Sequence, residues 1–246
     1  MVDRLFSDLR LASLYDALCP RETRADFDFY LPMVMAAEAV LDVGCGTGAM
    51  LIEARAAEHR GRLVGLDPAA GMLAVARRCA EVEWVQGDLT SADGLRAFDL
   101  IVMTGHAFQV LVGDEALRAA LAAAHGALKP GGRFAFETRH PAARAWEGWR
   151  ADHPIDFADH HGQPVRMTRQ VTQAFDGRTV SFSHTFTSPD WPATEVSHST
   201  LRFVGPEDLA NLLAEAGFAV EARYGDWDRS PLTDASPEII VIARRV

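Results

Sequence analysis

From Ala39 to Thr138 the chain alternates short apolar runs with stretches in which apolar residues recur at helical spacing. AVLDV reads as a strand and AMLIEARAAEH as a helix; RLVGLD is a strand and AGMLAVARRCA a helix. VEWVQGD and FDLIVMTG are further strands, DEALRAALAAAHGAL is a helix, and GGRFAFET is another strand. Strands separated by helices of about 10–15 residues mark βαβ units and a parallel sheet, with right-handed crossovers placing helices on both faces. Upstream, residues 1–35 read as helical, with Phe6, Tyr15, Phe27, Phe29 and Tyr30 scattered among acids and arginines.

The rhythm breaks after Thr138. HPAARAWEGWRADHPIDFADHHGQP reads as irregular. RMTRQVTQAF and RTVSFSHTFT then flank Asp176-Gly177, a hairpin signal, and TEVSHSTLRFV follows as a third strand. These make an antiparallel meander over residues 165–204. The helix PEDLANLLAEAG comes next, then the strands FAVEARYG and EIIVIARR, which no helix separates and which should therefore run antiparallel. The expected organisation is a helical cap (1–35), an α/β core (36–139 and 205–246) and an inserted lid (140–204).

A chain of 246 residues with 48% hydrophobic and 24% charged content has the composition of an ordinary globular protein. Its formal charge of -10 argues against a nucleic-acid partner, which would need a basic surface. Cys19, Cys45 and Cys79 are odd in number and form no CxxC pair, which fits a reducing compartment. With no apolar signal core and no membrane-length apolar run, the expected location is cytoplasmic, away from the membrane.

The densest chemistry lies in VLDVGCGTGAM, where Gly44, Gly46 and Gly48 follow the first strand and Asp42 precedes them. In a doubly wound sheet, ligands bind beyond the carboxyl ends of the strands, where strand order reverses. Gly44-x-Gly46-x-x-Ala49, with Asp67 about 20 residues on, satisfies the loose dinucleotide fingerprint. S-adenosylmethionine, with adenosine but no pyrophosphate, fits the same elbow. Asp42 would sit poorly beside a pyrophosphate and suits a ligand with ammonium and sulfonium centres. The single lysine, Lys129, leaves no Tyr–Lys pair for hydride transfer.

VLDVGCGTG resembles the glycine-rich first motif of class I S-adenosylmethionine-dependent methyltransferases. VGLDPAAGML, VQGDLT, FDLIVMTG and ALKPGGRFAFE resemble the family's following segments, in order. The resemblance implies a doubly wound, Rossmann-like sheet of seven mostly parallel strands with an antiparallel last strand, plus the small antiparallel β insertion. It implies S-adenosylmethionine as cofactor, S-adenosylhomocysteine as product, and methyl transfer to an oxygen or nitrogen of a small-molecule acceptor. Asp67, followed by Pro68, would take the ribose hydroxyls; Asp88 and the Leu89 amide would meet the adenine, with Met72 against its ring. Gly44, Cys45, Gly46 and Gly48 would border the ribose and methionine part. Thr104 would contact the amino group, and Tyr15 or Tyr30 the carboxylate.

The acceptor side is less legible. His106 and Phe108 follow the fourth strand, where the family places its acceptor pocket, and His106 is the best-placed candidate base. An alcohol acceptor would need one, whereas a neutral amine would not. His140, Trp146 and Trp149 are further pocket candidates. The aromatics of the insertion could roof the pocket, form a homodimer interface or build a satellite core. His160-His161 with Asp156 and Asp159 gives no expected metal site, because adjacent histidines tend to point apart. A nicotinamide-dependent oxidoreductase and a non-catalytic scaffold remain alternatives on sequence grounds.

Overall fold

The computed structural model describes residues 2–90 and 97–246. Seven strands form the main sheet: β1 (Ala39–Val43), β2 (Arg62–Asp67), β3 (Glu83–Gln86), β4 (Phe98–Met103), β5 (Leu128–Arg139), β10 (Phe218–Tyr224) and β11 (Glu238–Arg245). Their order is β10-β11-β5-β4-β1-β2-β3. β1 pairs in parallel with β2 on one side and β4 on the other, so Asp42 faces Gly65 and Val102 across the ladders. β11 runs antiparallel to both β5 and β10. The chain leaves β1 toward β3 and then crosses back to β4, which puts the crevice where strand order reverses at the ends of β1 and β4.

Both faces of this sheet are covered, which explains the near-continuous burial of its central strands. Ala39, Leu41 and Val43 join a core with Leu117, Leu121 and Ala124 of helix α7 (Asp114–Ala127) and Leu209 and Leu213 of α8 (Pro206–Glu215). That spacing in α7 is the apolar stripe of an amphipathic helix. On the opposite face, Val40 packs with Phe27, Tyr30 and Val34 of α4 (Ala25–Ala36) and Met50, Leu51 and Ala54 of α5 (Ala49–Ala56).

The N-terminal region is helical in several short segments. It divides into α1 (Arg4–Ser7), α2 (Leu9–Ala12) and α3 (Tyr15–Leu18) before α4, and α4 packs on the core sheet. Asp8 ends α1 and caps α2, its carboxylate accepting from the Arg10 and Leu11 amides. The short helices bridge two layers. Leu5, Leu11 and Leu14 pack on Val165, Met167 and Phe186 of a second sheet, while Ala12 packs on Met72 of helix α6 (Ala70–Ala76).

The second sheet has four antiparallel strands: β6 (Ile155–Ala158), β7 (Pro164–Gln173), β8 (Thr179–Thr187) and β9 (Glu195–Arg202). The sequence indicated three; β6 lies inside the stretch read as irregular. Strand β8 shows the alternation of a half-buried strand: Val180, Phe182, His184 and Phe186 are buried, and the residues between them are less so. Asp156 pairs with Arg166, and Asp159 accepts from the His161 and Gln163 amides, so both acids serve the β6–β7 hairpin. Among the described residues, no helix is long and apolar enough to cross a membrane.

Candidate active site

The turn after β1 carries Gly44, Gly46 and Gly48 at φ of 72°, 56° and 79°, a region that disfavours side chains. The three glycines serve different neighbours. A Cβ at Gly44 would lie 2.8 Å from the Ala107 Cβ, and one at Gly48 would lie 2.2 Å from the Trp84 ring. At Gly46 the nearest atom would be the Met72 Sδ at 3.9 Å, so this glycine faces open space. Gly44 and Gly48 are therefore bare for packing, and Gly46 for access.

Asp67, at the end of β2, holds this elbow. One carboxylate oxygen accepts from the Gly46 amide at 2.8 Å and the other from the Ala69 amide at 2.7 Å. Each oxygen keeps a lone pair for a further donor. Pro68 follows directly, at the turn into α6. Burial raises the Asp67 carboxyl, with the two amides opposing the shift. Asp42 is 1% exposed, and its Oδ1 is sealed from solvent without a partner. Burial, with Asp67 close by, pushes its carboxyl up to about 7. A buried carboxylate lacking a donor is unusual, and it marks a place where a ligand's positive charge would be welcome.

The N-terminal helices close over the elbow. Thr47 Oγ1 donates to Asp16 at 2.6 Å, and Arg21 binds Glu53 of α5 at 2.6 and 3.1 Å. Above Gly105, after β4, a Cβ would lie 3.5 Å from Arg24 Nη2 and 3.9 Å from the Tyr15 hydroxyl. Arg24 forms a bidentate pair with Asp26 at 2.8 and 2.6 Å. Burial raises Tyr15 to about 12, which keeps its hydroxyl a donor. Thr104 is buried beside this point, its carbonyl accepting from the Ala107 amide. Arg24 escaped the sequence reading, which sought an aromatic there.

Other expected contacts fall differently. The Tyr30 hydroxyl is fully buried and donates to Glu137 Oε2 at 2.7 Å, so it is turned to the core sheet rather than to a cofactor. Met72 is buried beside the elbow with Ala12 and Ala69, next to Tyr15. Cys45 is buried with Leu73 and Ala76. Asp88 is exposed and accepts from the Thr90 amide and hydroxyl, while Leu89 packs partly on the core.

On the acceptor side, His106 sits at φ 63° with its amide donated to Glu137 at 2.6 Å. Its Nε2 lies 3.0 and 3.1 Å from the Glu238 carboxylate. Burial and the Arg139 guanidinium push the imidazole down to about 3, and burial pushes Glu238 up to about 7. The ring is thus uncharged at neutral pH and shares one proton with Glu238. That weakens it as a base compared with a free imidazole. Phe108 is not a pocket wall: it stacks on Phe136 at 4.3 Å in the main core. His140 Nδ1 accepts from the Ala142 amide at 3.0 Å, capping a short turn.

Trp146 and Trp149 belong to a satellite core with Val180, Phe182 and Phe203. Trp146 stacks on Phe175 at 4.5 Å and borders an open surface hollow that includes no residue of the elbow. Trp149 instead has the Arg139 and Arg169 guanidinium carbons each 5.6 Å from its ring centroid. It therefore links the inserted sheet to the end of β5.

Residues 40–132, which build the elbow and both strand ends, match the family described as a methyltransferase domain. Over 113 residues the chain is 34% identical to the 2-phytyl-1,4-naphtoquinone methyltransferase of Thermosynechococcus vestitus, covering 44% of this chain and 49% of that protein. The chain spans less than half the length of the curated relatives it matches, 42% and 49%. In fold it is similar to the CcbJ methyltransferase of Streptomyces caelestis, at TM-score 0.76 and 19% identity over 96% of each chain. It is also similar to an S-adenosylmethionine-bound amino pentose methyltransferase of Micromonospora echinaspora, at TM-score 0.68 and 24% identity over 93% of this chain and 94% of that one. Residues 40–132 are thus similar to the methyltransferase-domain family, and the chain as a whole shares the fold of methyltransferases of known structure.

Proposed function

We propose that the protein transfers a methyl group from S-adenosylmethionine to an oxygen or nitrogen of a small-molecule acceptor, with nitrogen the better match. The observation that carries this reading is the pairing of the open Gly46 backbone, held by Asp67, with the donor-less Asp42 carboxylate beside it. A cationic, adenosine-bearing cofactor answers both features, and a diphosphate would be repelled by two acids.

In this reading Asp67 receives the ribose hydroxyls on its remaining lone pairs, and Gly46 gives the ligand close approach. Asp88 and the Leu89 amide serve the adenine, with Met72 packed below. Arg24 and the Tyr15 hydroxyl, which flank the Gly105 backbone, bind the cofactor's carboxylate, and Thr104 lies at its amino group. Asp42 sets a negative potential against the cofactor's cationic centres. When bound, the cofactor supplies a methyl group already activated by its sulfonium, so the chain's task is alignment and exclusion of water.

A neutral amine can attack without prior loss of a proton, and an alcohol generally cannot. His106, held neutral and already bound to Glu238, is a poor match for deprotonating an alcohol, which favours nitrogen. The similarity to an amino pentose methyltransferase supports the same choice. In this role His106 positions the acceptor. Thermal shift with S-adenosylhomocysteine and labelled-methyl transfer into metabolite pools test the reading. Stabilisation by the product and uptake of label into amines support it; the absence of both rejects it.

A further inference from the structure

Among the described residues, two arginines between the main sheet and the inserted sheet make no hydrogen bond or ion pair to a carboxylate. Arg139, at the end of β5, donates Nη1 to the Gln109 side chain at 2.8 Å. Gln109 is 1% exposed and donates to the Arg202 carbonyl at 2.9 Å, which fixes its own orientation and hence that of Arg139. Arg169, on β7, donates Nε to His184 Nε2 at 3.2 Å. Among the described residues neither forms an ion pair. Most of the other arginines that make hydrogen bonds reach a carboxylate.

Their surroundings make this costly unless something else supplies the negative charge. Both guanidiniums lie against Trp149, and Arg169 also lies over Phe182 at 6.0 Å. Burial lowers the pKa of each; Arg169 lowers that of Arg139 further, while Glu238 and Glu137 oppose the shift. Glu238 is the cross-strand neighbour of Arg139 and offsets part of its charge, but its carboxylate bonds to His106 and none reaches Arg169. Besides His184, Arg169 is influenced by Tyr15 and Cys19, and burial keeps both protonated. His184 is 7% exposed and pushed to about 3 by burial and Arg169. Its Nε2 accepts from Arg169, so its proton sits on Nδ1, which is buried without a partner.

Arg139 and Arg169 are each only half-buried, so neither side chain is sealed in the core. Arg139 is the cross-strand partner of Glu238, whose carboxylate lies 3.0 Å from His106 Nε2 just past Gly105, and Trp149 joins Arg139 to Arg169. The pair therefore adjoins the cofactor crevice on its acceptor side.

From this geometry we infer that the methyl acceptor carries an anionic oxygen group, a carboxylate or a phosphate, bound by Arg139 and Arg169. Two planar forks suit an oxyanion better than two ammonium groups would. Gln109 and His184 position the forks by engaging one nitrogen of each. This inference rests on the methyltransferase reading and adds the acceptor's charge class to it.

The test uses the full chain saturated with S-adenosylhomocysteine, so that Arg24 is already engaged. Inorganic phosphate, succinate and uncharged glycerol are titrated at constant ionic strength, with binding followed by calorimetry and by tryptophan fluorescence. Saturable binding of phosphate, succinate or both is expected, with none of glycerol. Which anion binds separates a phosphate acceptor from a carboxylate one. Arg169→Gln and, independently, Arg139→Gln should each weaken it about ten-fold or more, as loss of a charged hydrogen-bond donor does. Arg169→Lys should fall between, and affinity for S-adenosylhomocysteine should stay unchanged as the check on folding. No saturable anion binding by the loaded protein, or binding by both Gln variants as tight as the parent's, overturns the inference. Failure of the parent to bind S-adenosylhomocysteine instead overturns the reading beneath it.

Discussion

Asp42→Asn separates the cost of a buried charge from its use. Asp42 sits on β1 at 1% exposure with Oδ1 unpartnered, and its carboxyl is raised to about 7 from an ordinary value near 3.8. A carboxyl whose folded pKa lies above its unfolded one favours folding when protonated. Its unfavourable contribution is absent below about pH 4, grows as pH rises, and is complete above about pH 7. A shift of roughly three units at about 1.4 kcal/mol each places that cost on the order of 4 kcal/mol. The asparagine variant, without ligand, should therefore be more stable than the parent at pH 8, and the gap should close toward pH 4. For a chain of this length each kcal/mol is worth about 2–4 °C in Tm. Urea unfolding at several pH values gives the stabilities. Adding S-adenosylmethionine should reverse the order at pH 8, because only the parent presents a carboxylate to the cation. A variant equally stable to the parent at every pH, or bound equally tightly by the cofactor, would refute the reasoning.

Gly46→Ala and Gly48→Ala should part company: the first has room and should fold yet lose cofactor binding, while the second drives a Cβ into Trp84 and should unfold readily. Differential scanning calorimetry beside a binding titration distinguishes them. Asp67→Asn leaves one of the two amides it holds without an acceptor, costing about 1–3 kcal/mol in stability, and should weaken S-adenosylhomocysteine binding more than ten-fold by roughly the same reasoning. Arg24→Gln should weaken the cofactor while sparing affinity for adenosine alone, which lacks the carboxylate. Nitrogen-detected NMR should find His106 uncharged from pH 8 to pH 5, whereas a midpoint near 6.5 would contradict its burial.

The main sheet was legible because each βαβ unit writes its own period into the sequence, and the antiparallel β10–β11 pair followed from the missing helix between them. Strand β6 was not, since IDFA is four residues long amid Pro and His and gains its ladder only from β7. The N-terminal segment read as helix because its residues are good helix formers; Asp8 and Pro20 interrupt it locally. At the site, Asp42 and Asp67 stand out as acids ending apolar strands, and the same signal in RFAFET could have flagged Glu137. Arg24, Arg139 and Arg169 carry no such mark. Their grouping depends on how three layers meet, which their spacing along the chain does not encode. Phe108 and Trp146 show the converse: position near a strand end or in a lid suggested the acceptor pocket, but Phe108 packs in the main core and Trp146 borders a hollow away from the elbow.

The acid-flanked elbow is expected to hold an adenosine-bearing cation and not a diphosphate. Calorimetric titration of one protein sample with S-adenosylmethionine, and of a second with NAD, tests it most directly. One-to-one binding of the first, released protons rising as buffer pH falls below about 7, and no heat from the second are predicted. Saturable NAD binding with no response to S-adenosylmethionine would contradict the account.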